Sequence, residues 1–123
     1  MEKQAKKTLV IGASENPARY SFLAVNRLRH NQHPVIAIGA KKGKVADVDI
    51  DTEKKPQQDI DTVTLYLNPT RQAEYYDYIL SLHPKRIIFN PGTENEELAE
   101  MAKAKGIQPM EACTLVLLST GQY

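Results

Sequence analysis

Short apolar runs recur along the chain, each bounded by a breaker, and stretches with helical spacing lie between most of them. Thr8-Leu9-Val10-Ile11 stops at Gly12, Val35-Ile36-Ala37-Ile38 at Gly39, and Thr62 to Leu67 at Asn68-Pro69. Arg86-Ile87-Ile88-Phe89 stops at Asn90-Pro91-Gly92, and Ile107-Gln108-Pro109-Met110 begins just after Gly106. Such short, nearly uniform runs are the pattern of strands buried on both faces. Between the first two, Phe22, Ala24, Val25 and Leu28 form a stripe that predicts a helix from Phe22 to His30, capped by Ser21 after a turn at Pro17. Asn68 caps a second helix with Pro69 in its first turn, and Ala73, Tyr76, Ile79 and Leu80 share its inner face. Asn95 caps a third, with Glu96 and Glu97 at the positive end of its dipole, Leu98, Met101 and Ala102 as its stripe and Gly106 as its stop.

Strands alternating with helices predict parallel pairing through right-handed crossovers. The expected fold is a three-layer, doubly wound Rossmann-like α/β domain with a mainly parallel sheet of five or six strands. The segment from Gly39 to Asp61 breaks the alternation, with a short strand expected at Val45 to Val48 and an exposed loop from Glu53 to Gln58. The run Thr114 to Leu118 is too apolar for a free end and is expected to pack on the domain or on a second subunit, so a homodimer or larger complex stays open.

Composition narrows the function classes. A chain of 123 residues bounds one domain over 1–123, with residues 1–7 expected to be flexible. A net charge of +1 argues against a dedicated nucleic-acid binder. The lone Cys113 excludes an internal disulfide framework and fits a reducing compartment. No run is apolar and long enough for a signal peptide or a membrane span, so a cytoplasmic protein without membrane contact is expected.

The chemistry concentrates in the loop Gly12-Ala13-Ser14-Glu15-Asn16-Pro17-Ala18-Arg19-Tyr20-Ser21. A small-residue turn between a first buried strand and a first helix is where this class of fold holds phosphate, because backbone N–H groups and the helix dipole converge there. The dinucleotide pattern G-x-G-x-x-G is absent, since Gly12 alone of its three glycines is present, and no acid follows the second strand to bind ribose. Lys41, Lys42 and Lys44 stand there instead. They favour a ligand with an extra phosphate near its ribose, which both NADP and coenzyme A carry, although a solvated lysine turn would look the same. Other candidates are weaker. His30, His33 and His83 are expected at the surface, and Asp47 to Asp51 fails as a calcium loop because Thr52 and Gln58 occupy the required Gly and Glu positions. Tyr76 is expected to face the core and Tyr75 and Tyr78 to be partly exposed. Cys113 falls at the ligand edge of the sheet, where a thiol could exchange with a thiol ligand, but a small packed residue is the simpler expectation.

The pattern Gly12-Ala13-Ser14-x-Asn16-Pro17-x-Arg19-x-Ser21, with Lys41 after the second strand, resembles the CoA-binding domain family. That family includes small stand-alone proteins and the N-terminal domain of the succinyl-CoA synthetase α subunit. The resemblance runs from about Thr8 to Cys113. It implies that Gly12, Ala13, Ser14, Asn16, Pro17, Arg19 and Ser21 surround the pyrophosphate of coenzyme A or an acyl-CoA, and that Lys41 and Lys42 meet its 3′-phosphate and ribose. Leu67, Asn68 and Pro69 would wall the crevice, and Asn90, Pro91 and Gly92 would lie beside the pantetheine arm. The chain departs from the family at Glu111-Ala112-Cys113-Thr114, where stand-alone members often carry Asp-Arg-Cys-Pro, and at Gly39-Ala40-Lys41, where Asn-Pro-Lys is usual. It also lacks the domain bearing the ligase's phosphorylated histidine, so a non-catalytic binding protein is expected. An NADP-binding oxidoreductase-like domain and a ligand-free interaction domain of the same fold remain as alternatives.

Overall fold

Every side chain from Thr8 to Ile11 is buried, because the strand that contains them, β1 (Thr8–Ala13), has strands on both sides and helices over both faces. The computed structural model describes residues 4–123. After β1 come α1 (Tyr20–His30), β2 (Val35–Gly39), β3 (Gly43–Val45), β4 (Val48–Asp51) and β5 (Thr62–Leu65). Next are α2 (Pro69–Gln72), a 3₁₀ turn at Ala73–Tyr75 and α3 (Tyr76–Ser81). The chain continues through β6 (Arg86–Phe89), α4 (Glu96–Ala104), β7 (Gln108–Glu111) and α5 (Thr114–Ser119). The strands form one sheet in the order β3-β4-β2-β1-β5-β6-β7, parallel throughout except for the β3–β4 pair. The α/β Rossmann-like architecture is therefore as expected, with seven strands in place of five or six.

The extra strand comes from the segment that broke the alternation. Val45 to Val48 is not itself a strand but a two-residue hairpin turn, with Ala46 at φ 53° and Val45 paired to Val48. Val45, Val48 and Ile50 point into the core, and Arg29 grips Asp47 through two bonds of 2.8 and 2.9 Å. This puts β3 at the edge and β4 inside it. The connection from Asp51 to Thr62 contains no helix; Lys54 and Lys55 tether it to the Glu74–Tyr78 region instead.

Alternation along each strand sends side chains to two cores. Val10, Ala37, Ile50 and Ile88 meet Val25 and Leu28 of α1 on one face. Leu9, Ile11, Val63 and Leu65 meet Ile79, Leu98 and Ala102 on the other. Truncating a fully buried side chain such as Leu28 to alanine costs about 2–5 kcal/mol at sites of this kind. The run after Cys113 packs as expected, forming α5 alongside α1.

Three local expectations need correction. Helix α1 begins at Tyr20 with Arg19 as its cap residue, so Ser21 is not the cap; it lies in the first turn with its side buried. The second helix is interrupted by the 3₁₀ turn, whose tighter winding leaves Ala73 exposed and turns Gln72 inward. His33 is buried: its Nδ1 accepts the Lys6 N–H at 2.9 Å and its ring lies 4.9 Å from that of Tyr123. His30 and His83 are exposed as expected. Of the segment 1–7, residues 1–3 lie outside the described residues, while Lys6 and Lys7 are hydrogen-bonded into the domain.

Candidate functional site

Strands β1 and β5 are neighbours in the sheet, yet the helices that follow them pack on opposite faces, α1 on one and α3 on the other. Their carboxyl ends therefore part to form the crevice where ligands of such sheets sit. Gly12 spans it. At φ 95° its backbone suits glycine, and a Cβ there would come within 2.9 Å of the Tyr66 carbonyl carbon and oxygen. The Tyr66 N–H donates to the Ile11 carbonyl at 2.9 Å, which fixes this close approach.

The loop after β1 is shaped by its own polar residues. Ser14 Oγ accepts the Asn16 N–H and Asn16 Oδ1 accepts the Ala18 N–H, both at 3.0 Å. The Asn16 carbonyl accepts the Arg19 N–H at 3.0 Å. These short-range bonds are the turn chemistry of Ser and Asn before a helix. Ser14 Oγ is an acceptor in this turn, so its hydroxyl proton is not used by that bond. The N–H groups of Tyr20 and Ser21 open α1, where no helical carbonyl lies four residues behind to accept them. Arg19 is exposed and in no ion pair among the described residues. Pro17 is exposed in the same turn.

Lys41 and Lys42 lie in the exposed turn between β2 and β3, next to this loop, and neither joins an ion pair among the described residues. Gly39, at the end of β2, pairs with Ala13, and a Cβ on it would stand 2.3 Å from the Ala13 carbonyl oxygen. The loop after β1 and the lysine turn are thus in contact, with Glu15 Oε2 accepting the Lys44 N–H at 2.8 Å.

Across the crevice, Asn68 caps α2 through Oδ1, which accepts the Arg71 N–H at 3.0 Å, and Pro69 fills the first helical position. Leu67 is half-buried, and its carbonyl is held by the Gln72 amide at 2.8 Å. That amide also donates to the Thr93 carbonyl, and Gln72 Oε1 accepts from Asn95. Gln72, fully buried, is a residue that sequence reasoning missed; it joins the loops after β5 and β6 into one wall.

Asn90 plays a different part from the one its position implied. It is buried, donating to Thr64 Oγ1 at 2.7 Å and the Leu65 carbonyl at 2.8 Å, and accepting the Thr114 N–H at 2.9 Å. Its amide is spent inside the protein, and Pro91 and Gly92 are the exposed surface of that turn. Thr64 and Thr114 are hydrogen-bonded at 2.8 Å beneath the crevice. The Tyr66 hydroxyl is buried beside them without a well-aligned partner; burial pushes its pKa up, against the pull of the Thr114 and Thr64 hydroxyls. Cys113, half-buried, precedes α5 on the same side. The arrangement offers backbone donors at the start of α1, Arg19 beside them, a lysine turn docked on the same loop, and the loops after β5 and β6 tied together by Gln72.

Comparison with known proteins bears on the family and the fold. A model of the CoA binding domain matches residues 6–119. A solved structure of an uncharacterized protein is 50% identical, with a TM-score of 0.95 over 98% of this chain and 100% of that one. A hypothetical protein from Pyrococcus horikoshii OT3 shares the fold at 21% identity, TM-score 0.85, covering 95% of this chain and 84% of its own. A Thermus thermophilus protein does so at 17% identity, TM-score 0.85, covering 97% and 91%. Among curated proteins, none matches the chain.

Proposed function

We propose, from the premise that this chain belongs to the CoA binding domain family, that it binds coenzyme A or an acyl-CoA without transforming it. One observation carries the reading: the N–H groups of Tyr20 and Ser21 open α1 at the carboxyl end of β1, beside Arg19, and the turn bearing Lys41 and Lys42 is docked on the same loop through the Glu15–Lys44 hydrogen bond. None of the three cations is ion-paired among the described residues. In this reading the pyrophosphate takes the helix N-terminus and the Ser14 hydroxyl, with Arg19 pairing its charge. Lys41 and Lys42 take the 3′-phosphate. The pantetheine arm runs between Leu67-Asn68-Pro69 and Pro91-Gly92, while Asn90 braces the wall from behind. Binding uses these groups for position alone.

A thermal-shift panel tests this, because a ligand that binds the native state raises the melting temperature by mass action. CoA and acetyl-CoA are expected to raise it more than dephospho-CoA, and NAD to leave it unchanged. A clear shift with NADP alongside none with any CoA species would select the oxidoreductase-like reading instead.

A further inference from the structure

We propose that Glu15 is a positioning residue, which docks the phosphate loop onto the lysine turn and so sets the preference for a ligand bearing a phosphate on its ribose. The inference rests on the reading above, that the loop holds pyrophosphate and Lys41 and Lys42 the ribose phosphate.

Glu15 sits between Ser14 and Asn16 but does not serve its own loop. Its Oε2 accepts the Lys44 N–H at 2.8 Å, across a separation of 29 residues. The stem lies flat over Gly43: a Cβ there would stand 2.6 Å from Glu15 Cγ and 2.3 Å from Cδ. Gly43 does not have a positive φ, so space rather than backbone conformation is what a side chain would violate. At the other end of the turn, Gly39 grants the same close approach to the Ala13 carbonyl. Lys41 and Lys42 are therefore bracketed by two glycines, Gly39 set closely against the end of β1 and Gly43 lying under the Glu15 side chain. No other side chain of that loop bonds the turn among the described residues.

A carboxylate beside two anion sites repels the ligand, so its placement runs against simple charge complementarity. Holding the turn in place compensates. An exposed turn carrying two long cationic side chains would otherwise have to be ordered on binding, and preorganisation removes part of that entropy loss. The effect concerns the ribose phosphate, which meets the turn, more than the pyrophosphate, which meets the helix.

The test measures affinity for CoA and dephospho-CoA by calorimetry in the wild type, Glu15→Ala, Glu15→Gln and Gly43→Ala. The CoA-to-dephospho-CoA ratio is expected to fall about fivefold in Glu15→Ala, the worth of one modest hydrogen bond. Glu15→Gln keeps an acceptor oxygen and is expected to retain the ratio. Gly43→Ala pushes the carboxylate off the Lys44 N–H and is expected to lower the ratio as Glu15→Ala does. An unchanged ratio in Glu15→Ala or Gly43→Ala overturns the inference. A ratio that rises in both Glu15 variants also overturns it, since the carboxylate would then act by charge alone. A wild type that binds neither CoA nor dephospho-CoA refutes the functional reading itself, and one that binds both equally refutes the assignment of Lys41 and Lys42 to the ribose phosphate, before any variant is compared.

Discussion

Replacing Asn90 tests how the site is braced. Its side chain makes three bonds, to Thr64 Oγ1, the Leu65 carbonyl and the Thr114 N–H, at 2.7, 2.8 and 2.9 Å, and the residue is 2% exposed. Asn90→Ala takes this side-chain partner from the Leu65 carbonyl and the Thr114 N–H in a buried place, while Thr64 Oγ1 keeps Thr114 Oγ1. Leaving a buried polar group unsatisfied costs about 1–3 kcal/mol. With two backbone groups affected and a small cavity added, the loss should be about 3–5 kcal/mol. For a domain of this size that lowers the melting temperature by about 10–20 °C. Circular dichroism during thermal and urea unfolding reads it. Asn90→Asp adds a sign. Its buried carboxyl would face two acceptors, so its folded pKa lies above the unfolded value of about 3.9. Such a group lends stability below the unfolded pKa and loses it as pH rises through the folded one. The gap to the wild type should therefore narrow in acid and widen toward neutral pH. A loss under about 1 kcal/mol in Asn90→Ala, typical of one dispensable hydrogen bond, would refute the bracing argument.

Gly12→Ala places a methyl 2.9 Å from the Tyr66 carbonyl on a backbone at φ 95°, so a loss of about 2–4 kcal/mol is expected in urea unfolding, along with weakened CoA binding. The Lys55 ammonium, 2.8 Å away, and then the Glu53 N–H hold the Asp51 carboxyl at about 2. Its NMR titration midpoint should climb in Lys55→Ala, stopping short of the ordinary carboxylate value because the Thr52 and Glu53 N–H groups still donate. The stability this pair gives is present above the unfolded pKa and fades as pH falls toward 2.

The buried strands could be read from the sequence because burial on both faces leaves a local mark, as in Leu9-Val10-Ile11 and Ile87-Ile88-Phe89. The caps at Asn68 and Asn95 were equally local, each bonding an N–H three residues ahead. Features that depend on distant partners left no such mark. His33 is buried because Tyr123 folds back on it, and Tyr123 in turn shares a hydrogen bond with Thr8 and lies under Arg86. Gln72 looks like a surface residue until the Leu67 and Thr93 carbonyls converge on it. In the candidate site, the loop after β1 and the lysine turn were each recognisable by residue type. Their docking through Glu15, Gly39 and Gly43 was not, because glycine spacing does not say what lies above it. Asn90 was placed correctly at a strand end, yet position alone could not tell a brace from a ligand contact.

The most direct test of the central claim is the amide ¹H–¹⁵N spectrum of the protein titrated with CoA. Shifts should concentrate in residues 12–21, 40–44, 66–69 and 91–93, with those at 40–44 diminished for dephospho-CoA. Shifts confined to other surfaces, or none at saturating CoA, would contradict it.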